Sequence, residues 1–207
     1  MFNITFYLRR LHSLVGLFMG AFLMMHIGNN SAVLLGPDVM NMVIGTLDKI
    51  PMYIRLPLEL GMIAAPFGFH ALYGVYIALQ ARNNPISYGY LQNWQFTLQR
   101  WTAWYLLVFL VWHVYYLAVH TRITGIHLCF EFLQSYLSNP VYWVLYVLGM
   151  WAAIFHFANG INTFCMTWGI AKGPRIQMVI NMACMGFCGA LCLETLALML
   201  VYILPIF

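Results

Sequence analysis

Charged side chains are scarce in this sequence, which has 9 lysines and arginines and 5 acidic residues among 207. Soluble domains carry about a quarter charged residues, which cover their surface. With 7% charged and 63% hydrophobic residues, this chain cannot cover itself in that way, so lipid must be its main solvent. In lipid every backbone amide must be satisfied within the segment, which leaves helices or closed barrels.

Alternating runs of about ten residues, the pattern of membrane β-strands, are missing as well. The apolar runs are continuous and longer than about 20 residues, which indicates helices. We therefore predict an all-α membrane protein with five transmembrane helices, the first four forming an up-down-up-down bundle. The helices are expected at approximately residues 8–35, 55–81, 96–120, 140–170 and 176–204. The first run lacks a small-residue cleavage site, so we keep it in the mature protein.

The cysteines give little support for a covalently attached haem or a metal–thiolate site. The sequence has no C-x-x-C-H motif, so covalent attachment of a c-type haem is excluded. Cys184, Cys188 and Cys192 are spaced by four and fall on one face of the fifth helix. This spacing could indicate a metal–thiolate site. We favour the other interpretation, that the three cysteines are small packing residues within a membrane helix.

The basic residues are distributed unevenly between the two ends of the predicted bundle. Six of them lie at the N-terminal end: Arg9, Arg10, Arg82, Arg100, Lys172 and Arg175. Three lie at the opposite end: Lys49, Arg55 and Arg122. Because cytoplasmic loops are enriched in lysine and arginine, we expect the N-terminus in the cytoplasm and the C-terminus outside.

Four histidines stand alone inside four successive apolar runs: His26, His70, His113 and His156. The steps between them are 44, 43 and 43 residues, about one membrane crossing plus a loop. An imidazole in hydrocarbon is costly unless its nitrogens have partners, so an intramembrane histidine indicates function. One such residue could serve as an interhelical hydrogen bond, but four favour metal ligation. No carboxylate or cysteine stands beside them, which disfavours zinc and di-iron chemistry, whereas axial ligation of haem iron suits an apolar cavity.

Bundle geometry predicts how these histidines pair. In an up-down-up-down bundle the first and third helices share one diagonal, and the second and fourth share the other. Neighbouring axes ~8–10 Å apart make the diagonal ~13 Å, within reach of two imidazoles on one iron. The histidines of the first and third helices lie 12 and 9 residues from the outer helix ends, and those of the second and fourth lie 15 and 16. We therefore predict an outer haem held by His26 and His113 and an inner haem held by His70 and His156.

The residues around these histidines resemble a known family. The segments that carry the likeness are Arg9-Arg10-Leu11-His12-Ser13-Leu14-x-Gly16, His70-Ala71-Leu72-Tyr73-Gly74-Val75-Tyr76-Ile77-Ala78, Trp112-His113, Phe155-His156-Phe157-Ala158-Asn159-Gly160 and Thr167-Trp168-Gly169-Ile170. They are similar to the cytochrome b membrane anchor of succinate dehydrogenase and fumarate reductase, the complex II family. The likeness covers the whole chain and is strongest to the single-polypeptide, five-helix, dihaem type.

The resemblance implies one transmembrane cytochrome b domain over residues 1–207, with the four histidines as axial ligands of two b haems. It implies the anchor of a succinate:menaquinone or quinol:fumarate oxidoreductase in the bacterial cytoplasmic membrane. A flavoprotein subunit and an iron–sulfur subunit would dock on the inner face, and electrons would pass between the iron–sulfur subunit, the haems and menaquinone. The chain would be the quinone-reactive subunit, with the dicarboxylate chemistry on the other subunits and no nucleic-acid partner.

Two positions depart from the family pattern. Members that couple electron flow to proton movement carry a glutamate two residues before the fourth-helix histidine, where this chain has Ile154. A lysine that some members have near the cytoplasmic end of the fourth helix is replaced by Thr167. The first departure puts that proton route in doubt, and the second leaves one propionate contact unexplained.

Polar residues near the inner end of the first helix are candidates for the haem propionates: Arg9, Arg10, His12 and Ser13. Charge-assisted hydrogen bonds to carboxylates are strong, and the resemblance favours Ser13. The alternative is that the arginines only mark the cytoplasmic end of the helix.

Two acidic residues are candidates for proton exchange with the quinone. Glu59 lies 11 residues outward of His70, which is ~16 Å at 1.5 Å per residue, and it could instead form an i,i+4 pair with Arg55. Glu194 lies outward of the middle of the fifth helix, with no partner visible in the sequence.

Two other functions remain open from the sequence. The chain could be the dihaem anchor of another quinone-linked enzyme, such as a formate dehydrogenase or hydrogenase. It could also be a haem-free transporter with a histidine proton relay, although the internal repeat typical of such proteins is not evident.

Overall fold

A computed structural model of the protein describes residues 4–206. Throughout this part of the chain the regular structure is helical, and five helices are long and apolar enough to cross a membrane. They are span 1 (Ile4–Leu35), span 2 (Met52–Gln80), span 3 (Leu91–Thr124), span 4 (Pro140–Thr167) and span 5 (Pro174–Val201). The prediction of an all-α membrane protein with five transmembrane helices is confirmed.

Four of the spans begin earlier than predicted, at residues 4, 52, 91 and 174 rather than 8, 55, 96 and 176. The two adjacent arginines near the start of span 1 do not stop the helix, because arginine is a good helix former. In span 3 the early polar residues Asn93 and Gln95 are buried, and Gln95 donates to the side chain of Asn181 of span 5 at 2.8 Å. Span 5 begins at Pro174, whose fixed φ suits the first helical turn.

The helix ends also differ from the prediction. Span 2 ends at Gln80 rather than residue 81, and span 3 continues to Thr124 rather than ending at residue 120. Spans 4 and 5 stop at residues 167 and 201 rather than 170 and 204. Gly125 and Gly169, with φ of 70° and 72°, follow spans 3 and 4 in the left-handed conformation that ends many helices.

Two spans contain a π-helical segment. In span 2 it covers Glu59–Ala64 and in span 3 it covers Tyr115–His120. Pro66 follows the first of them, and a proline has no N–H to continue the ladder of i→i−4 hydrogen bonds. The π-helical turn therefore lies where the missing N–H of Pro66 interrupts the regular ladder of span 2.

Spans 1 to 4 are arranged as a four-helix bundle. Span 1 packs against spans 2 and 4, span 3 packs against span 4, and spans 2 and 3 contact each other lightly. Spans 1 and 3 thus face each other across one diagonal, and spans 2 and 4 across the other. Span 5 packs along span 4 and against the Ser31–Leu35 turn of span 1.

The densest packing is on one side of the bundle. Spans 3, 4 and 5 share a hydrophobic core with two short helices, Pro37–Asp48 and Phe130–Leu137. The short helices are joined by Asn41, whose side-chain oxygen accepts from the backbone N–H of Phe130 at 2.7 Å. In span 2, by contrast, none of the described side chains is fully buried.

Candidate functional site

The four intramembrane histidines form two pairs across the bundle. The ring centroids of His26 and His113 lie 6.0 Å apart, with ring planes 88° to each other. Those of His70 and His156 lie 6.4 Å apart, at 83°. Each pair joins two diagonally opposite spans.

The separation within each pair suits a shared metal ion. Two axial imidazoles on one iron have ring centroids on the order of 6 Å apart, because each metal–nitrogen bond is ~2.0 Å long. The observed values of 6.0 and 6.4 Å lie close to this distance. A single ion between the rings of each pair is therefore geometrically reasonable.

The two pairs lie at different depths. A Cβ added to Gly16 would come within 2.7 Å of the ring of His70, so this glycine marks the level of the His70–His156 pair on span 1. His26 is ten residues further along the same helix. At 1.5 Å per residue the two pairs are therefore separated by ~15 Å along the bundle axis.

In the pair nearer the N-terminal end, both ring orientations are defined by backbone carbonyls. His70 Nδ1 lies 3.1 Å from the carbonyl oxygen of His12, and His156 Nδ1 lies 3.2 Å from that of Gln99. The Thr102 hydroxyl is a second and longer contact of His156 Nδ1, at 3.4 Å. A carbonyl only accepts, so each Nδ1 carries the proton and each neutral ring keeps its lone pair on Nε2. This is the arrangement of metal-ligating histidines, which donate their other N–H to a carbonyl or carboxylate.

The His26–His113 pair has a different environment. The ring of His113 stacks on Phe109 at 5.7 Å and lies 5.6 Å from the ring of Tyr146. His113 Nδ1 is buried without a hydrogen-bond partner in the described structure. The buried hydroxyls of Tyr136 and Tyr146 lie beside each other and interact. Burial raises the pKa of Tyr136 to about 12.

Within residues 4–206 there is no group of three or more histidine, cysteine or acidic side chains that could hold a metal ion. The cysteines of span 5 are free thiols, and Cys184 is buried. A zinc site needs three or four protein ligands, whereas haem brings four equatorial nitrogens and needs only axial ligands from the protein. Pairs of imidazoles on opposite helices therefore fit haem better than a protein-only metal site.

Polar groups gather around the histidine pair at the N-terminal end. The ring of His12 stacks on that of His70 with centroids 4.1 Å apart. An Arg10 guanidinium nitrogen, His12 Nε2 and the Tyr73 hydroxyl are buried without a partner in the described structure. Ser13 Oγ accepts from the indole N–H of Trp168 at 3.2 Å.

These groups include three of the four candidates for propionate contacts. Arg10 also lies 4.6 Å from the ring of Trp168, and such a cation–π contact leaves guanidinium N–H groups available as donors. Arg9, the fourth candidate, is exposed on span 1. Buried donors without partners beside the histidine pair would suit a carboxylate group.

At the opposite end, Glu59 has two cationic partners. Its carboxylate accepts two hydrogen bonds from Arg122, at 2.6 and 2.7 Å, and one from Arg55 Nε, at 2.9 Å. The i,i+4 pair with Arg55 is thus present, and Arg122 of span 3 is an additional partner. Arg55 also contacts Asp48 at 3.0 Å, which makes a four-residue ion-pair network.

Glu194 of span 5 has a neutral partner. The Ser31 hydroxyl lies 2.6 Å from Glu194 Oε1 and 3.0 Å from the backbone carbonyl of Ile27. Ser31 is five residues beyond His26 on span 1, which places this carboxyl near the His26–His113 pair.

Gln99 and Tyr146 are site residues that sequence reasoning missed. Gln99 is a polar side chain in an apolar span, which is itself a functional hint. Tyr146 gave no such hint, because tyrosines are abundant here and most are expected at the membrane interface.

The chain is similar to known membrane proteins. Residues 86–190 match the family model described as Succinate dehydrogenase/Fumarate reductase transmembrane subunit. The chain is also 39% identical over 178 residues to the succinate dehydrogenase cytochrome b558 subunit of Bacillus subtilis, covering 86% of this chain and 87% of the relative.

Proposed function

The chain belongs to the succinate dehydrogenase/fumarate reductase transmembrane subunit family, and from this we propose that it is the dihaem anchor of a bacterial succinate:menaquinone or quinol:fumarate oxidoreductase. Its partners would be a flavoprotein subunit and an iron–sulfur subunit, and it would lie in the cytoplasmic membrane. Family membership speaks against both alternatives, a formate dehydrogenase or hydrogenase anchor and a haem-free transporter.

The observation that carries the dihaem proposal is the pairing of four histidines on opposite spans, at ring separations of 6.0 and 6.4 Å. In the proposal His70 and His156 hold the inner haem, and His26 and His113 hold the outer one. The inner rings are already held with Nε2 free to ligate, through carbonyls of His12 and Gln99. An oriented ligand loses less rotamer entropy on binding, which favours affinity.

When bound, two b haems would supply one-electron transfer across the membrane between the iron–sulfur subunit and menaquinone. The chain's own residues orient the ligands and exclude water. Apolar spans surround both histidine pairs, and Phe109 and Tyr146 pack beside His113.

At the inner end Arg10, His12 and Ser13 are proposed to hold the haem propionates, with exposed Arg9 in a secondary role. Support comes from the buried donors without partners on Arg10 and His12. The Ser13 oxygen accepts from the indole N–H of Trp168, and its own O–H would donate to a propionate.

We place this inner end in the cytoplasm, where it would receive the two hydrophilic subunits. Six of the nine basic residues lie there in the sequence, and cytoplasmic loops are enriched in such residues. The C-terminus would then lie outside.

Menaquinone is proposed to react near the outer histidine pair, with Glu194 as the group that exchanges protons. A hydroxyl has one proton, so Ser31 donates either to Ile27 or to Glu194. When it donates to Ile27, a protonated Glu194 can donate to Ser31 in turn, so both protonation states of the carboxyl are accommodated. Glu59 is the less suitable of the two acids, because Arg55 and Arg122 both donate to its carboxylate and favour the charged form.

The test is purification of the intact complex through a tag on this chain. A flavoprotein and an iron–sulfur subunit should co-purify, and the complex should reduce a menaquinone analogue with succinate or oxidise its quinol with fumarate. Recovery of a molybdenum or nickel subunit instead would contradict the proposal.

A further inference from the structure

Gln99 of span 3 contacts span 4 at three points. Its backbone carbonyl accepts from His156 Nδ1 at 3.2 Å, and its side-chain Nε2 donates to the backbone carbonyl of His156 at 3.0 Å. Its side-chain Oε1 accepts from Asn159 Nδ2 at 2.8 Å. Gln99 therefore forms hydrogen bonds with both the ring and the backbone of His156.

These contacts depend on one another. The backbone carbonyl of Gln99 reaches the His156 ring only while spans 3 and 4 keep their present distance and register. The side-chain amide connects the two helices at the same turn, and Asn159, which is only 4% exposed, orients that amide. Removing the amide would allow the helices to shift by fractions of an ångström, which is enough to weaken a hydrogen bond.

We propose that Gln99 is a positioning residue for the inner haem, fixing the orientation and the hydrogen bond of its axial ligand His156. The inference rests on the proposed function, since it concerns the ligand of a haem. Hydrogen bonds from a metal-bound imidazole raise its basicity, and loss of such outer partners typically costs 10–100-fold in metal affinity. A more basic ligand stabilises ferric over ferrous iron, so the bond lowers the midpoint potential of the haem.

The outer pair offers an internal comparison. His113 Nδ1 has no hydrogen-bond partner in the described structure, and no amide side chain bonds to the backbone at His113 among the described contacts. A change at Gln99 should therefore affect the inner haem and leave the outer haem as a reporter of correct folding.

Span 3 also supplies a matched control. Gln95, one turn before Gln99, is a buried amide that donates to Asn181 of span 5 at 2.8 Å and has no hydrogen bond to a histidine among the described residues. Gln95→Met and Gln99→Met make the same chemical change at nearly the same depth, with different partners.

The experiment is a potentiometric titration of both haems, with haem-to-chain ratios, in the purified complex of the wild type, Gln99→Met, Asn159→Leu and Gln95→Met. Gln99→Met should raise the inner midpoint potential and weaken inner haem retention by about 10–100-fold, with the outer haem unchanged. Asn159→Leu should shift the inner haem in the same direction by less, and Gln95→Met should shift neither haem.

The inference would be overturned if Gln99→Met left the midpoint potential and retention of the inner haem unchanged. It would also be overturned if Gln95→Met shifted the inner midpoint potential by the same amount as Gln99→Met. If the Gln99→Met complex does not assemble, an unchanged inner midpoint potential in Asn159→Leu would overturn the inference instead. Wild type with fewer than two haems would instead overturn the proposed function, so the two failures are distinguishable.

Discussion

Glu59 of span 2 and Arg122 of span 3 form a two-point ion pair, with N–O distances of 2.6 and 2.7 Å. The two side chains are 30% and 29% exposed, so the pair is neither fully in water nor fully buried. It connects two spans that otherwise contact each other lightly. The pair therefore joins spans 2 and 3 at the end of the bundle opposite the N-terminus.

Arg122→Gln should destabilise the folded chain by about 1–2 kcal/mol, between the values typical of exposed and buried pairs. The reason is that Glu59 would lose its two-point partner and keep only Arg55. Thermal unfolding of the purified protein in detergent would measure the loss. Arg82→Gln, in an exposed part of the loop after span 2, is the control, and equal stability of the two variants would contradict the prediction.

Glu194→Gln should lower quinone turnover by about 10²-fold, the contribution expected of a positioned proton-transfer group. Succinate oxidation with a soluble dye acceptor should be unchanged, because that reaction needs only the hydrophilic subunits. Steady-state assays with a menaquinone analogue and with the dye separate the two effects.

Glu59→Gln is the matched control for that assay, and it should leave quinone turnover within a few-fold of wild type. If Glu59→Gln abolishes turnover at normal haem content while Glu194→Gln does not, the roles assigned to the two acids are reversed.

Gly16→Ala should impair inner haem binding selectively. The new Cβ would lie 2.7 Å from the ring of His70, closer than carbon atoms approach, so the ring or span 1 must move. Gly28→Ala on the same span is the control, because its Cβ would meet nothing within 4 Å. The haem-to-chain ratio and the difference spectrum are the measurements, and equal loss in both variants would argue against a specific role for Gly16.

Haem depletion should loosen spans 1 and 2 more than span 5. Span 2 has no buried side chain among the described residues, whereas span 5 has six. A ligand that binds only the folded state adds stability where it makes contact. Hydrogen exchange of haem-depleted and haem-replete protein would measure this, with faster exchange in spans 1 and 2 of the haem-depleted protein as the expected result. A uniform change in exchange along the chain would contradict the prediction.

The spans could be predicted from the sequence because continuous apolar runs in lipid leave only helices. Their ends were less predictable. Gln95 looks like a loop residue, and only its buried contact with Asn181 explains why the helix of span 3 begins before it.

Up-down connectivity also allows the approach of His26 to His113, and of His70 to His156, to be anticipated. Ring orientation could not be anticipated in this way. The carbonyls of His12 and Gln99 that accept the ring protons are backbone atoms, which leave no trace in residue identity. Arg122 was missed as a partner of Glu59 because the contact depends on the rotation of span 3 about its own axis.

The central claim is that two histidine pairs hold two haems, and a reduced-minus-oxidised spectrum with a haem-to-chain ratio tests it most directly. The measurement is made on the wild type, His26→Ala and His156→Ala. The account predicts two haems per chain in the wild type, with His26→Ala losing the outer haem and His156→Ala losing the inner one. One haem or none in the wild type, or loss of the same haem in both variants, would contradict it.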